Sequence, residues 1–234
     1  MNKNIDEINQ NLVRFWDEAM TLSEDENQSQ EEPGDYSELA PSQKLFLAAK
    51  ELGECERVLD YGCGTGWASI VAAKEGCPGV IAADLGEHIL ETLAFYATMY
   101  GVKDAVKPTL ITNKWLKETP EGSFDGVICS NVLDVVPLET GEEIIRFLAR
   151  ASKKGSKVVI GLNFYLDPEA AKKRGMELED GKYLFVNGIL RLASLPDKEW
   201  EKRFEPYFKI EKLDYFAWPG EKAEARRLFL LKRK

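Results

Sequence analysis

The period of the apolar positions changes twice along the chain. Over residues 2–20, Ile5, Ile8, Leu12, Phe15, Trp16 and Ala19 recur at helical spacing, which predicts an amphipathic helix. Residues 21–35 (TLSEDENQSQEEPGD) are acidic, nearly devoid of apolar side chains and broken by Pro33–Gly34, the composition of a linker or loop. A second helix is predicted from Pro41 to Leu52. From residue 56 the pattern becomes one of short apolar runs, at 56–60, 79–83, 106–111, 124–129 and 156–162, alternating with helical segments. That alternation is the mark of βαβ units and a parallel sheet. The intervening helices fall at Trp67–Glu75, closed by Gly76, and at 87–100, closed by Gly101. A third begins at Thr140, which has capping-box spacing to Glu143, and continues to Ala151. Pro108 inside the third run points to a sheet edge, where a missing N–H leaves no ladder bond unmade.

Past Asn163 the alternation stops. Tyr183–Val186 and Ile189–Leu192 flank Asn187–Gly188, a strong signal for a two-residue hairpin turn. Pro196–Glu205 reads as a helix, and two last strands lie near 207–217 and 226–232. The loop between them, opening at Pro219–Gly220, is too short for a parallel crossover, so they are predicted antiparallel. No internal repeat is present. The expected organisation is an N-terminal helix and acidic linker over 1–40, placed to cover a site, then one α/β domain over 41–234 with a hairpin insertion at about 163–195.

Composition narrows the chemistry. With 44% hydrophobic and 30% charged residues, a chain of 234 residues can bury one full core. No apolar run approaches the roughly 20 residues that span a bilayer. Residues 1–11 carry Asp6 and Glu7 and no leader-like apolar stretch, so a cytoplasmic location is expected. The net charge of −9 sits wholly in residues 1–40, where eleven acids face Lys3 and Arg14; the rest balances 29 acids against 29 bases. Such a body does not suit the phosphate-neutralising footprint of a nucleic-acid binder. Its one basic cluster, Arg226, Arg227, Lys232, Arg233 and Lys234, reads as a solvated strand end. Cys55, Cys63, Cys77 and Cys129 form no CxxC pair and His88 is the only histidine. A zinc site and a histidine-based nucleophilic triad are therefore both disfavoured, and His88 reads as a surface helix residue.

The informative stretch is Val58-Leu59-Asp60-Tyr61-Gly62-Cys63-Gly64-Thr65-Gly66-Trp67, set between a strand and a helix. A ligand there meets backbone N–H groups and a helix N-terminus. Spacing selects the ligand. A dinucleotide fingerprint puts a small residue at the third marked position, and here that position is the indole of Trp67. The glycines instead read GxGxG, with Asp60 two residues ahead of the first. A carboxylate at that place suits a ligand with an ammonium group better than a pyrophosphate. The second strand ends at Asp84, which can either accept from both hydroxyls of a ribose or cap the next helix. A nucleoside with an ammonium group and no pyrophosphate describes S-adenosylmethionine.

The run VLDYGCGTGWASI resembles motif I of the class I S-adenosylmethionine-dependent methyltransferases. IAADLGEHIL, SFDGVICSNVLDVVP and KKGSKVVIGLNF resemble the family's second, fourth-strand and fifth-strand motifs, in the family's order. The resemblance covers about residues 36–163. It implies a Rossmann-like seven-stranded mixed sheet ordered 3-2-1-4-5-7-6, strand 7 antiparallel, with helices on both faces. It also implies S-adenosyl-L-methionine as cofactor and S-adenosyl-L-homocysteine as product. Carried residue by residue, it implies that Asp60 holds the methionine amino group and that Gly62, Cys63, Gly64 and Gly66 form the loop beneath the cofactor. Asp84 takes the ribose hydroxyls and Leu85 touches adenine. Where many relatives carry an acid for the adenine amino group this chain has Asn113, with Trp115 close by to stack. Ser130 and Asn131 lie beside the transferable methyl.

Three assignments keep two readings each. Trp16, with Phe15 and Tyr36, caps the cofactor, or the first helix simply packs on the sheet. Asp134, where many relatives have histidine, is the general base or orients the loop after strand four. The 163–195 segment is a lid over an aromatic or anionic acceptor, or a hairpin that covers an edge or joins two copies. SNVLDVVP stands where enzymes that methylate DNA bases or glutamine carry an Asn-Pro-Pro-Tyr-like motif. The expectation is methyl transfer to a small-molecule acceptor by a monomer or homodimer, with a protein acceptor or a non-catalytic cofactor-binding protein as alternatives.

Overall fold

Apart from the edge run at 106–111, the runs after residue 56 are largely buried on both faces, as a parallel sheet covered by helices requires. The computed structural model describes residues 4–20 and 33–234. Its main sheet contains β1 (Val58–Tyr61), β2 (Val80–Asp84), β3 (Val106–Leu110), β4 (Phe124–Ser130) and β5 (Ser152–Leu162), all parallel. Two further strands, β8 (Phe208–Phe216) and β9 (Arg226–Arg233), complete it in the order β3-β2-β1-β4-β5-β9-β8. β9 runs antiparallel to both β5 and β8. With the separate hairpin β6 (Tyr183–Val186) and β7 (Ile189–Ala193) set aside, this is the expected seven-strand order. β3 is an edge strand, and Pro108 sits in it opposite Ala82 of β2. Asn187 and Gly188 both take positive φ, 52° and 79°, as a type I′ turn demands.

Helices cover both faces. In chain order they are α1 (Ile5–Ala19), α2 (Gln43–Lys50), α3 (Trp67–Lys74), α4 (Glu87–Met99), α5 (Asn113–Glu118), α6 (Leu138–Ala151), α7 (Pro168–Lys173) and α8 (Asp197–Phe204). Neighbouring residues of β1 serve opposite cores. Leu59 packs with Val127, Phe147, Leu148 and Phe229, whereas Val58 packs with Leu45, Val71, Leu93 and Phe216. Among the described residues, no helix is long and apolar enough to cross a membrane.

Several expectations need correction. α6 starts at Leu138, after Pro137, and not at Thr140; the Thr140 hydroxyl instead accepts at 3.0 Å from Asn9 of α1. β5 begins at Ser152 rather than at the expected residue 156, and a register shift between Phe124 and Gly126 of β4 accompanies the extra residues. The short helices α5 and α7 carry no long amphipathic repeat and were not predicted. Of the basic cluster, Lys232 and Lys234 are exposed as a solvated strand end would be, but Arg226 and Arg227 are not, being 6% and 1% exposed. Of the predicted linker, residues 21–32 lie outside the described residues; Tyr36–Leu39 forms a turn of 3-10 helix, with the Asp35 carboxylate accepting from Ser37 N.

Candidate active site

β1 pairs with β2 on one side and β4 on the other, so the connections after β1 and β4 diverge to opposite faces and leave a crevice at their carboxyl ends. The glycine turn forms one wall of that crevice. Gly62 and Gly66 take φ of 69° and 87°, and a Cβ on either would fall 2.3 Å from Val132 Cγ2 or 1.9 Å from Leu93 Cδ1. Only glycine satisfies both the backbone and the packing there. The turn delivers the chain to α3, whose free N–H groups and dipole face the crevice.

Two carboxylates brace the turn. Asp60 is buried, and its Oδ2 accepts from Ser69 N at 3.1 Å and from Ser69 Oγ at 2.7 Å, tying β1 to the first turn of α3. Burial pushes Asp60 up to about 7, against the lowering effect of the two Ser69 bonds. Asp84 Oδ2 accepts from Gly64 N at 2.9 Å, and Oδ1 accepts from Leu85 N at 2.7 Å and Gly86 N at 3.4 Å. Burial raises its pKa and the three backbone donors oppose that rise. A carboxylate has about four acceptor sites, so Asp84 keeps capacity for a further donor while holding the loop. Leu85, 49% exposed, follows it at the crevice rim.

Across the crevice, β4 ends at Ser130 and Asn131. Asn131 holds a left-handed φ of 56° and donates its N–H to Gly161 O at 2.8 Å. Ser130 lies against Gly161, where a Cβ would come within 2.5 Å of its Oγ. Ser130 Oγ and Asn131 Oδ1 are both buried with no hydrogen-bond partner among the described residues. Unpartnered buried polar atoms are uncommon and call for a ligand or water. Asn113, at the start of α5, is exposed near the end of β3. Trp115 is committed on one side, its ring 5.4 Å from that of Phe147 on α6.

The C-terminal end of α1 lies beside the glycine turn. Ile8 and Leu12 enter the same core as Tyr61 and Leu133. At its C-terminal end Asp17 accepts from Ile89 N at 3.2 Å and pairs with His88 Nδ1 at 2.7 Å, while Thr92 Oγ1 donates to Met20 O at 3.3 Å. Met20 Sδ lies over the turn, 3.3 Å from where a Gly64 Cβ would stand. Trp16, one turn earlier, is edge-on to Phe15 and under Arg191 of β7. Met20, the C-cap of α1, is thus set over the glycine turn, while Trp16 meets the hairpin through Arg191. Tyr36 is not at the site: its hydroxyl donates to Glu75 at 2.9 Å, just past the C-terminal end of α3, about 12 Å along that helix from the glycine turn.

Asp134 is also not open to a reacting group. It is fully buried; Asn163 N donates to one oxygen at 2.6 Å and Asn163 Nδ2 to the other at 3.2 Å, with Arg227 Nη2 3.8 Å away. Burial pushes its carboxyl up to about 6, opposed first by Arg227. Arg227 further donates to Asn163 O at 2.8 Å and Leu195 O at 2.6 Å, and Ala193 N donates to Asp134 O at 2.7 Å. This network fastens the loop after β4 to the hairpin and the last strand. Its members reach each other from four places in the chain, and no local sequence pattern marks them. His88 is on the surface as expected, yet its pairing with Asp17 makes it part of the attachment of α1.

Comparison with known proteins agrees with this geometry. Residues 31–206 match the family described as "Methyltransferase domain". The ribosomal protein L11 methyltransferase of Thermotoga neapolitana is 34% identical over 138 residues, 59% of this chain and 50% of that protein. The ubiquinone biosynthesis O-methyltransferase of Hahella chejuensis is 32% identical over 119 residues, 51% of this chain and 48% of that protein. The chain thus spans about half the length of these curated relatives. Among solved structures, the 1,6-didemethyltoxoflavin-N1-methyltransferase of Burkholderia thailandensis, with 1,6-didemethyltoxoflavin and S-adenosylhomocysteine bound, superposes with a TM-score of 0.70. It shares 16% identity, and the match covers all of this chain and 92% of that one, a likeness of fold.

Proposed function

The chain belongs to the methyltransferase-domain family, in its S-adenosylmethionine-dependent class, and from that membership we propose that it transfers a methyl group from S-adenosyl-L-methionine to a small-molecule acceptor. The observation that carries the cofactor assignment is the glycine turn braced by Asp84 and faced, across the β1/β4 crevice, by the unpartnered Ser130 Oγ and Asn131 Oδ1. Asp84 offers its remaining acceptor capacity to a ribose hydroxyl. Asp60, in β1 and bonded to Ser69 in the first turn of α3, takes the methionine ammonium; Gly62, Cys63, Gly64 and Gly66 keep the loop low enough for close approach. Leu85 and Asn113 bound the adenine side. When bound, the cofactor supplies a sulfonium methyl for in-line displacement by the acceptor.

The protein's part is alignment and exclusion of water, worth roughly 7–11 kcal/mol in favourable cases. α1, bonded to α4 through Asp17 and touching the hairpin through Arg191, would serve both ends by covering the crevice together with the hairpin. Ser130 and Asn131 present acceptor atoms where the two substrates meet. Asp134 acts at one remove, as a positioning residue that holds the loop carrying Ser130 and Asn131 against Asn163 and Arg227. A covered crevice favours a small acceptor over a protein surface. The L11 methyltransferase likeness supports a second reading, a protein acceptor.

The test begins with titration calorimetry of the purified chain, stripped of carried-over ligand, against S-adenosylmethionine, S-adenosylhomocysteine and NAD. Binding of the two sulfur ligands, lost in Asp84→Ala, with none of NAD, is the expected result. A folded chain that binds neither sulfur ligand ends the cofactor assignment. An acceptor screen then separates the two acceptor readings: turnover of small molecules supports the first, and turnover only of ribosomal proteins supports the second.

A further inference from the structure

Arg191 lies in β7, and its guanidinium reaches α1, 4.7 Å from the ring centroid of Phe15 and 5.1 Å from that of Trp16. It is half-buried and pairs with no carboxylate among the described residues. Most other arginines of this half of the molecule are spoken for. Arg226 is bidentate to Glu221, Arg227 faces Asp134 and Asp197, and Arg203 faces Glu142 and Glu199. Beneath Arg191, the Trp16 indole Nε1–H is buried with no partner. Guanidinium and indole N–H are both donors only. Their shared complement is an acceptor group, and one that also neutralises the half-buried guanidinium is an anion. The planar fork of arginine matches a carboxylate in both shape and charge.

Position ties this pair to the reaction. Arg191 stands two residues before Ala193, whose N–H is bonded to Asp134 O, and Asp134 is three residues past Asn131. The charges divide accordingly. Asp17, Asp60 and Asp84 line the glycine-turn side, where a cationic cofactor belongs, and Arg191 stands on the hairpin side. We propose that Arg191, with the Trp16 indole N–H, binds a carboxylate on the methyl acceptor, so that the substrate is a small aromatic acid seated between α1 and the hairpin. This rests on the methyl-transfer reading above and narrows its substrate class. The competing role, a cation–π clamp that only fastens α1 to the hairpin for about 0.5–2 kcal/mol, makes a different prediction under test.

The experiment uses the full chain and matched pairs of hydroxyphenyl, aminophenyl and imidazolyl carboxylic acids and their primary amides. S-adenosylhomocysteine release is followed with S-adenosylmethionine as donor, and S-adenosylhomocysteine affinity is measured separately by calorimetry. At least one acid should turn over with a KM at least tenfold below that of its amide. Arg191→Met should raise the acid KM at least tenfold, leave the amide within twofold and leave S-adenosylhomocysteine affinity within threefold. Arg191→Lys, which restores the charge without the fork, should recover part of the loss. Equal use of acids and amides by the wild type overturns the proposal. So does an equal loss for both in Arg191→Met, the signature of a clamp alone, or a panel with no acid turned over by protein that binds S-adenosylhomocysteine. Failure of folded wild type to bind S-adenosylhomocysteine instead removes the methyl-transfer reading, and this inference with it.

Discussion

The two walls of the crevice are built on different principles. The cofactor wall, from β1 to the start of α4, is local: Asp60, Gly62, Gly64, Gly66 and Asp84 lie within 25 residues, and each contact joins neighbouring turns of one βαβ unit. The acceptor wall is assembled from afar. Arg191 of β7 meets Phe15 and Trp16 of α1, and Asp134 meets Asn163 and Arg227. The lesson is that the first wall is held by contacts within one βαβ unit and the second by side chains from distant elements, so under the proposed function the second could change its ligand without disturbing the first.

The sharpest way to break that comparison is to strike the acceptor wall where it is most buried. Arg227→Met leaves the Asp134 carboxylate buried without its counter-charge, and losing one partner of such a pair typically costs about 3–5 kcal/mol. At roughly 2–4 °C per kcal/mol for a chain of this size, Tm should fall by about 6–20 °C in thermal unfolding. At a temperature where the variant is still folded, S-adenosylhomocysteine affinity should stay within about threefold of wild type. A comparable loss of cofactor affinity would show that the two walls are one mechanical unit.

The reverse strike is smaller in energy and larger in function. Asp84→Asn keeps the shape but replaces a carboxylate that accepts three backbone N–H bonds with a neutral amide. Hydrogen bonds to charged groups contribute about 1.5–3 kcal/mol, so calorimetry should show cofactor affinity reduced roughly 10- to 150-fold. Unchanged affinity would move the ribose site elsewhere.

That asymmetry also governs how much of the molecule can be read without coordinates. The glycine turn between β1 and α3, with Asp60 and Asp84 beside it, is legible because its place follows from spacing, and the sheet order is legible because short apolar runs alternate with helices. Pro108 even marks the sheet edge. Tyr36 is misplaced by its sequence position because an aromatic near a site in sequence takes its place from packing, and its place is against Phe46 and Glu75. Asp134 has a residue type suited to acid–base work, and nothing local reveals that Arg227, 93 positions later, will lie beside it. The burial of Arg226 and Arg227 was illegible because a basic run at a chain end carries no mark of its partners, Glu221, Asp134 and Asp197.

A third test sharpens the cofactor wall through pH. Asp60 titrates at about 7 because burial disfavours its charge, whereas an unfolded aspartate titrates near ~3.9. Its folded pKa is raised, so its contribution to stability is fully present below the unfolded pKa and is lost as pH climbs through about 7. The cofactor's ammonium group favours the ionised form and pulls the other way. S-adenosylhomocysteine affinity, measured by calorimetry across pH 5.5 to 8.5, should therefore rise by up to about tenfold per unit below 7 and level off above it. Asp60→Asn should bind more weakly at high pH and lose most of the slope. A slope that survives in Asp60→Asn would assign the proton to another group.

The smallest expected effect lies where the walls meet, at the attachment of α1. Asp17 pairs with His88 and accepts from Ile89 N, and Thr92 Oγ1 donates to Met20 O, so these contacts hold the C-terminal end of α1 to the first turns of α4. The Asp17 hydrogen bond raises the His88 pKa, and the His88 and Ile89 bonds depress that of Asp17 against the effect of burial. The raised His88 pKa makes its contribution fully present below the unfolded value near ~6.5, and it is lost as pH rises through the folded value. The depressed Asp17 pKa confines that contribution at the acid end, where it is lost as pH falls through the folded Asp17 value. Hydrogen exchange of the α1 amides should thus be slowest between those limits and, after correction for intrinsic rates, faster on the alkaline side. Glu87 and Glu91 also face His88 and hold its pKa up, so His88→Gln, which removes the titration, should flatten the alkaline rise while leaving exchange in β1 and β2 unchanged. Because Met20 and Trp16 ride on the same helix, one over the glycine turn and the other under Arg191, loosening this pair should raise the acceptor KM and the cofactor Kd together. It is the one perturbation in the set that should not distinguish the two walls, and a change in only one constant would show that α1 serves a single side.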